Sequence, residues 1–435
     1  MSLEEITEVT ITAATAAPSR VGYGTPCVMA YHTNYTERAR EYTSVAGMLT
    51  DGFVAGEPAV LAVGALLAQN PKPSKVVVGR EVGTEEKLIK LTPVAVASTA
   101  YAVVLNGQTA SYTSDATPTI AEITAGLKVA IDALGENVTT TDNTTDLDVE
   151  ADTVADNFSL YTVNRTLIGM NDNTPDGAVS IATDIAAVQV ENDDMFSIHL
   201  TNQGKAVITA AATYVSTLYK MLFVSSPDTD IYGVSTTDIA SNMQTAGHDR
   251  VVLMYHPKAN VQFPDCAWAG RCLPLDAGSI TWMFKSLNNV DYINFTPSEE
   301  SKIKAKNCNM YVRIAGVSMT QYGVASSGKF IDLTRSTDWI RSQLKETVFG
   351  SFVRADKIPQ TNKGIAVVEG DVKAVLKKAI NQTILTDNPA PTTQVLDIRD
   401  VPIADRALRN LPDVKFTGQF AGAFHKVQIS GTVSV

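Results

Sequence analysis

The residues best suited to chemistry are scattered along the chain. Four cysteines and five histidines are spread over 435 residues. Cys266, Cys272 and Cys308 could be set around zinc with His256, but Cys-x5-Cys is not a usual ligand spacing, and thiols buried as small hydrophobes are the favoured reading. Asp146, Asp148, Glu150 and Asp152 alternate with Leu147, Val149 and Ala151, which in a strand puts four carboxylates on one face. Calcium needs close-set oxygen ligands in a loop, and none is evident, so a solvated strand face is favoured. His199 and His256 fall in or at the end of strands, the place of a core or edge histidine more than of a general base. The chain has no Gly-x-x-x-x-Gly-Lys-Ser/Thr loop, no Gly-x-Gly-x-x-Gly and no Gly-x-Ser-x-Gly elbow. No catalytic, cofactor or metal site is expected, and an α/β enzyme finds no coherent set of residues.

Composition narrows the class further. A hydrophobic content of 45% with 19% charged residues is that of a globular protein with sizeable cores. The net charge of −11 works against binding nucleic acid or an acidic membrane. No apolar run approaches the roughly 20 residues that span a bilayer, and the acidic N-terminus lacks the marks of a signal peptide. Four cysteines in so long a chain are no disulfide framework, so a cytoplasmic origin is expected.

The elements alternate. In residues 2–20, Val9, Ile11 and Ala13 alternate with Thr10 and Thr12, as in a strand with one apolar face. So short a strand must join a sheet elsewhere, in its own subunit or another. Pro26–Ala30 and Lys75–Val78 read as strands around a helix over Pro58–Gln69, with mixed helical character over Arg38–Leu49. From about Leu91 to Asn173, Thr, Asn and Asp dominate and basic residues almost vanish. Here Ala100–Leu105 followed by Asn106-Gly107 predicts a hairpin, and Thr119–Leu134 a helix with Ile120, Ile123, Leu127 and Ile131 on one face. The strand–helix rhythm then resumes through Phe196–Leu200, Lys205–Leu218, Met221–Val224, Thr236–Gln244 and Arg250–Tyr255, as in a mostly parallel sheet. Ala277–Leu287 reads as a helix, Asn309–Ala315 and Phe330–Leu333 as strands, and a further helix starts near Ser336. A helix over Asp371–Ile384 carries Lys373, Lys377 and Lys378 on one face. At the end, apolar residues hold even positions from Val414 to Phe424 and odd ones from Val427 through Ile429 and Val433 to Val435. The switch at His425-Lys426 marks a bulge or turn.

The expected fold is α/β with α+β character: a mixed-sheet core, a β-rich α+β insert and extended terminal arms. Its segments are an arm over 1–20, core over 21–90 and 181–412, the insert over 91–180, and terminal strands over 413–435.

Several stretches resemble contractile, myovirus-type phage tail sheath proteins, in the branch classed as a domain of unknown function. They are Trp268-Ala-Gly-Arg-Cys-Leu-Pro-Leu-Asp-Ala-Gly-Ser-Ile-Thr-Trp282, Gly328–Leu333 with Asp338-Trp339, Lys357–Ile365, Leu66–Pro73 leading into Val76–Arg80, and Gly418–Val427. No one of them is specific; their order and spacing are. The resemblance implies a structural subunit that polymerises in six-fold rings, or equivalently helical strands, around a tail tube and contracts to drive it through the host envelope. It implies that the arms of Val9, Ile11 and Ala13 and of Val427, Ile429, Val433 and Val435 add strands to neighbouring copies. The insert would face outward, its acidic face with no base nearby. Partners would be further copies, the tail tube protein, and baseplate and terminator proteins, with neither nucleic acid nor membrane and no cofactor. The place would be the virion tail, assembled in the host cytoplasm. Lys373, Lys377 and Lys378 are candidates to face the tube, or form a solvated helix face. A non-contractile virion or tube component is the alternative.

Overall fold

The computed structural model describes residues 23–83 and 86–431. The chain divides into two compact units. One runs through Arg335 and is rejoined at Ala423; the other contains Ser336–Gly422.

The first unit opens with strands β1 (Pro26–Tyr31), β2 (Ala39–Tyr42) and β3 (Val76–Glu81), with helices α1 (Val45–Thr50) and α2 (Pro58–Leu67) between the last two. Residues 38–49 are thus strand then helix, not one helical stretch. Ala39–Tyr42 is drawn into antiparallel pairing with β3, and Ser44 caps α1 by accepting from Gly47 N–H. The insert contributes β4 (Leu88–Pro93), β5 (Ala100–Leu105), β6 (Gln108–Thr113), α3 (Ile120–Asp132), β7 (Val138–Asp142), β8 (Leu147–Ala151), β9 (Leu160–Thr162) and β10 (Ile168–Asp172). The chain then returns through α4 (Ile181–Glu191), β11 (Ser197–Leu200), α5 (Lys205–Val215), β12 (Met221–Ser226), α6 (Ile239–Ala246) and β13 (Val251–Tyr255).

These strands form a six-stranded sheet in the order β13-β12-β11-β1-β3-β2, parallel except for the β2–β3 pair. Both faces are covered, which is why β1, β12, β13 and the start of β3 read as apolar runs. On one face Met29, Ile198, Leu222 and Leu253 pack with Ile185, Val188, Ile208, Ala212 and Met243 of α4, α5 and α6. The other face meets α2, α7 (Ala259–Gln262) and α8 (Pro264–Cys272). There Phe223 stacks on Trp282 at 4.9 Å and meets the edge of Trp268 at 6.5 Å. Helices α2 and α8 approach so closely that a Cβ on Gly270 would lie 2.4 Å from the carbonyl oxygen of Leu66, so only glycine fits there.

Beyond α8 lie α9 (Pro297–Ala305), β14 (Met310–Ile314), β15 (Val317–Gln321) and α10 (Ile331–Arg354). Residues 277–287 are not helical. Phe284 N–H and Lys285 C=O pair with Thr320 of β15, and the Trp282 carbonyl accepts from Trp268 Nε1 and Thr320 Oγ1. The backbone groups that a helix would use are taken by a sheet edge and a tryptophan, and of Ile280, Met283, Phe284 and Leu287, whose spacing suggests the helix, only Leu287 is buried. Phe330–Leu333 is likewise not a strand: one bridge, Val324 to Phe330, is all the ladder there is, and α10 starts at Ile331. Its early turn carries Arg335, buried, whose guanidinium donates to the carbonyls of Cys272, Leu273 and Leu275 at the end of α8.

The insert has its own core of Leu91, Tyr101, Val103, Ile123, Leu127, Ile131, Leu147 and Val149. It has a four-stranded sheet, β10-β4-β8-β7, and a three-stranded one, β6-β5-β9. Its entry and exit strands, β4 and β10, pair antiparallel. The acidic face is not without a base: Lys90 Nζ lies 2.6 Å from Asp146 and 3.3 Å from Asp148. Asn143 donates to both carboxylates at 2.8 Å. An ammonium group from the adjoining strand β4 therefore holds the place a cation would take.

Arg165 latches the insert to the sheet domain. It donates to both oxygens of Glu299, at 2.8 and 3.1 Å, and lies over the rings of Tyr232 and Phe295. Glu299 also completes the capping box of α9 with Thr296. The Arg165 guanidinium holds its carboxyl down at about 2. The stabilisation is present above the ordinary carboxylate range and is lost as pH falls from about 4.5 toward about 2. Arg165→Met is expected to lower stability by about 2 kcal/mol in denaturant unfolding, and to flatten the loss of wild-type stability below pH 4.5.

Candidate strand-exchange site

The second unit contains most of α10, then α11 (Asn362–Asn381), β16 (Thr392–Gln394), α12 (Ile403–Ala407) and β17 (Lys415–Thr417). Thr361 caps α11 by accepting from Gly364 N–H. Val372, Val375, Leu376 and Ala379 form its buried face. Lys373, Lys377 and Lys378 are exposed on the other side. Lys373 pairs with Glu369 at 2.7 Å, an exposed helical pair of small energetic weight.

The unfinished part of the fold is the C-terminal segment. Residues 415–421 pair along one side, first with Thr392–Gln394 and then through Leu385 with Phe420. The other side of β17 has no strand partner among the described residues. From Gly422 to Gly431 no backbone ladder forms among the described residues. Large apolar side chains stand out along this run: Phe416 is 38% exposed, Phe420 39%, Phe424 90%, Val427 74% and Ile429 91%. Unpaired backbone beside a row of bare apolar groups is what an incoming or outgoing strand requires. Val427 and Ile429 thus lie exposed and outside any strand, while Val9, Ile11, Ala13, Val433 and Val435 lie outside the described residues.

The edges at β13, β14 and β15 are flanked within the same unit, whereas β2, β6, β7, β9 and β10 each end a sheet with one strand partner among the described residues. Over β13, Asn309 makes a parallel bridge with Met254, and Ser326 N–H donates to Val251. The hairpin β14–β15 is flanked by Ile293 on one side and Phe284-Lys285 on the other.

One constellation has the order of nucleophilic catalysis. Ser197 Oγ lies 3.0 Å from His199 Nε2, and His199 Nδ1 lies 3.1 Å from Asp265 Oδ2. Asp265 Oδ1 accepts from Ser225 at 2.6 Å. Ser197, His199 and Asp265 are at most 1% exposed, so no substrate reaches the serine, and the group is a polar tie between β11, β12 and α8. Sequence spacing could not reveal it, because Asp265 is brought to His199 by packing alone.

Cys266 adjoins this group, giving three potential ligand atoms, with His199 and Asp265, within 4.8 Å of one another. Burial and the neighbouring Asp265 carboxylate push the Cys266 thiol well above its ordinary range, and it donates to Asp265 Oδ2 at 3.6 Å. The set considered from sequence is not assembled. His256 is tied to the backbone of Asp291 at 2.9 Å, and Cys308 sits beside the carbonyl of Leu253 at 3.7 Å.

No protein-family model matches the chain, and no curated protein matches it. Solved structures do. The helical sheath of the anti-feeding prophage (AFP) in its contracted state matches with a TM-score of 0.51 at 11% identity, covering 98% of each chain. The sheath complex of PVC, an extracellular contractile injection system, also contracted, matches with a TM-score of 0.53 at 11% identity and the same 98% coverage of both. The chain is therefore similar in fold, along nearly its whole length, to contractile sheath subunits.

All four cysteines are free and buried, and burial pushes Cys27 and Cys272 up to about 12. Native protein should show almost no reaction with a thiol reagent at pH 8, and all four thiols should react once it is unfolded.

Proposed function

We propose that this chain is the subunit of a contractile sheath, polymerising around a tube and shortening to drive that tube through a cell envelope. The carrying observation is a chain with the fold of solved sheath subunits in which one side of β17 and the backbone of the segment after it stay unpaired among the described residues, with apolar side chains bare along them. The C-terminal run, with Val427, Ile429, Val433 and Val435, supplies a strand to an adjacent copy. Val9, Ile11 and Ala13 supply the second link. Each backbone hydrogen bond so formed contributes about 1 kcal/mol net, and several per arm hold copies together while broader contacts rearrange. Contraction is then a shift between two packings of a linked lattice. A small bias per subunit adds up along a long polymer.

The reading is non-enzymatic. Its partners are further copies of this chain, a tube protein, and baseplate and terminator components. The particle is a virion or extracellular injection device assembled in a cell's cytoplasm. The insert faces solvent, with the acidic face of β8 partly neutralised by Lys90. Lys373, Lys377 and Lys378, free of the packed face of α11, face the tube and grip an acidic wall weakly enough to release it.

Purified protein should form long hollow polymers by sedimentation and electron microscopy, and removal of residues 423–435 should leave folded, non-polymerising monomer. Discrete small oligomers from the full chain would overturn the reading. Reversing the charges of Lys373, Lys377 and Lys378 together should leave sheath self-assembly intact but sharply reduce the fraction of tubes found inside extended sheath.

A further inference from the structure

The segment after Gly422 leaves the second unit and rejoins the first. Along 421–431 every residue is exposed except one, His425, which is half-buried. Its Nε2 lies 2.7 Å from Thr281 Oγ1. Its ring meets Phe330 edge-on at 5.0 Å and Phe284 at 6.0 Å. The receiving residues are held from outside the tail. Phe284 has a positive φ of 63° and is pinned by its N–H to the Thr320 carbonyl. Phe330 is fixed by its bridge to Val324 at the start of α10. Asp332 lies close by; burial raises its carboxyl above the ordinary range, and His425 partly offsets this.

The choice of residue is the informative point. A tail collapsing on the nearest apolar surface would bury Phe424, Val427 and Ile429, whose exposures are 90%, 74% and 91%. Instead a polar ring with one directed hydrogen bond is seated between two aromatic edges, and its apolar neighbours are left bare. The contact is local and specific, at the position where the apolar alternation of the sequence changes face.

Resting on the sheath reading above, we propose that His425 is the anchor that fixes the root of the C-terminal arm to its own subunit. The donated length then begins at Lys426, and its receiver is a strand edge on a second copy of this chain. Fixing the root sets where and in which direction the arm departs, so that less conformational freedom is lost when it pairs. Val427 and Ile429 stay available because the anchor before them is not itself apolar.

Two measurements on the full chain test this. In monomer kept below the polymerisation concentration, trypsin should cut after Lys426 slowly. His425→Ala should be cut several-fold faster, and Thr281→Val likewise, with no further gain in the double variant. His425→Gln, which keeps a polar group at similar reach, should fall between. The same variants, checked by thermal melting to be folded as wild type, should polymerise with a critical concentration raised about five- to tenfold. Equal cleavage in wild type and His425→Ala would overturn the anchor, and faster cleavage with unchanged polymerisation would overturn its role in positioning the arm. Wild-type protein that never polymerises would defeat the sheath reading and the donated arm with it, while the cleavage comparison would still report whether His425 holds the segment.

Discussion

Backbone groups must pair somewhere, and this chain satisfies that requirement in two ways. Within the first unit, three strand edges are covered by irregular segments: Asn309 and Ser326 beside β13, Ile293 beside β14, Phe284-Lys285 beside β15. At the C-terminal end the same groups are left open and lined with phenylalanine, valine and isoleucine. What sets the C-terminal end apart is that unpaired backbone there coincides with bare apolar side chains, the combination that invites pairing with another strand.

The rest of the fold makes that demand tolerable. The sheet is clamped between α4–α6 on one side and α2, α7 and α8 on the other. The aromatic group of Phe223, Trp268 and Trp282 links β12 to α8 and to the segment after it. The insert is tied down by its paired entry and exit strands and by Arg165. The unpaired run is short and begins beyond well-packed elements.

The polar interior fits the same picture. A Ser-His-Asp order can serve catalysis only where a substrate can approach the serine. At His199 the group is sealed and every member has a partner, so it ties strands to a helix. Lys90 does similar work on the surface of the insert, neutralising part of an acidic face that would otherwise repel itself.

Much of this was legible in the residues alone. The apolar runs of β1, β3 and β11–β13, the Asn106-Gly107 hairpin, the α3 stripe and the 2-residue alternation of β8 are local patterns, set by side-chain period and turn chemistry. The resemblance to sheath proteins, carried by ordered motifs across the chain, agreed with the fold of the solved sheaths. What sequence could not reach depends on partners distant in the chain. Residues 277–287 have helical spacing, yet Thr320 and Trp268 take their backbone groups. Phe330–Leu333 reads as a short strand, yet has one bridge to pair with, and the helix begins there instead. Lys90 met Asp146, and Asp265 met His199, only through folding. Local periodicity determines what a segment can be; the tertiary structure decided which hydrogen-bond partners arrived, and therefore which segments were completed at home and which were left unpaired.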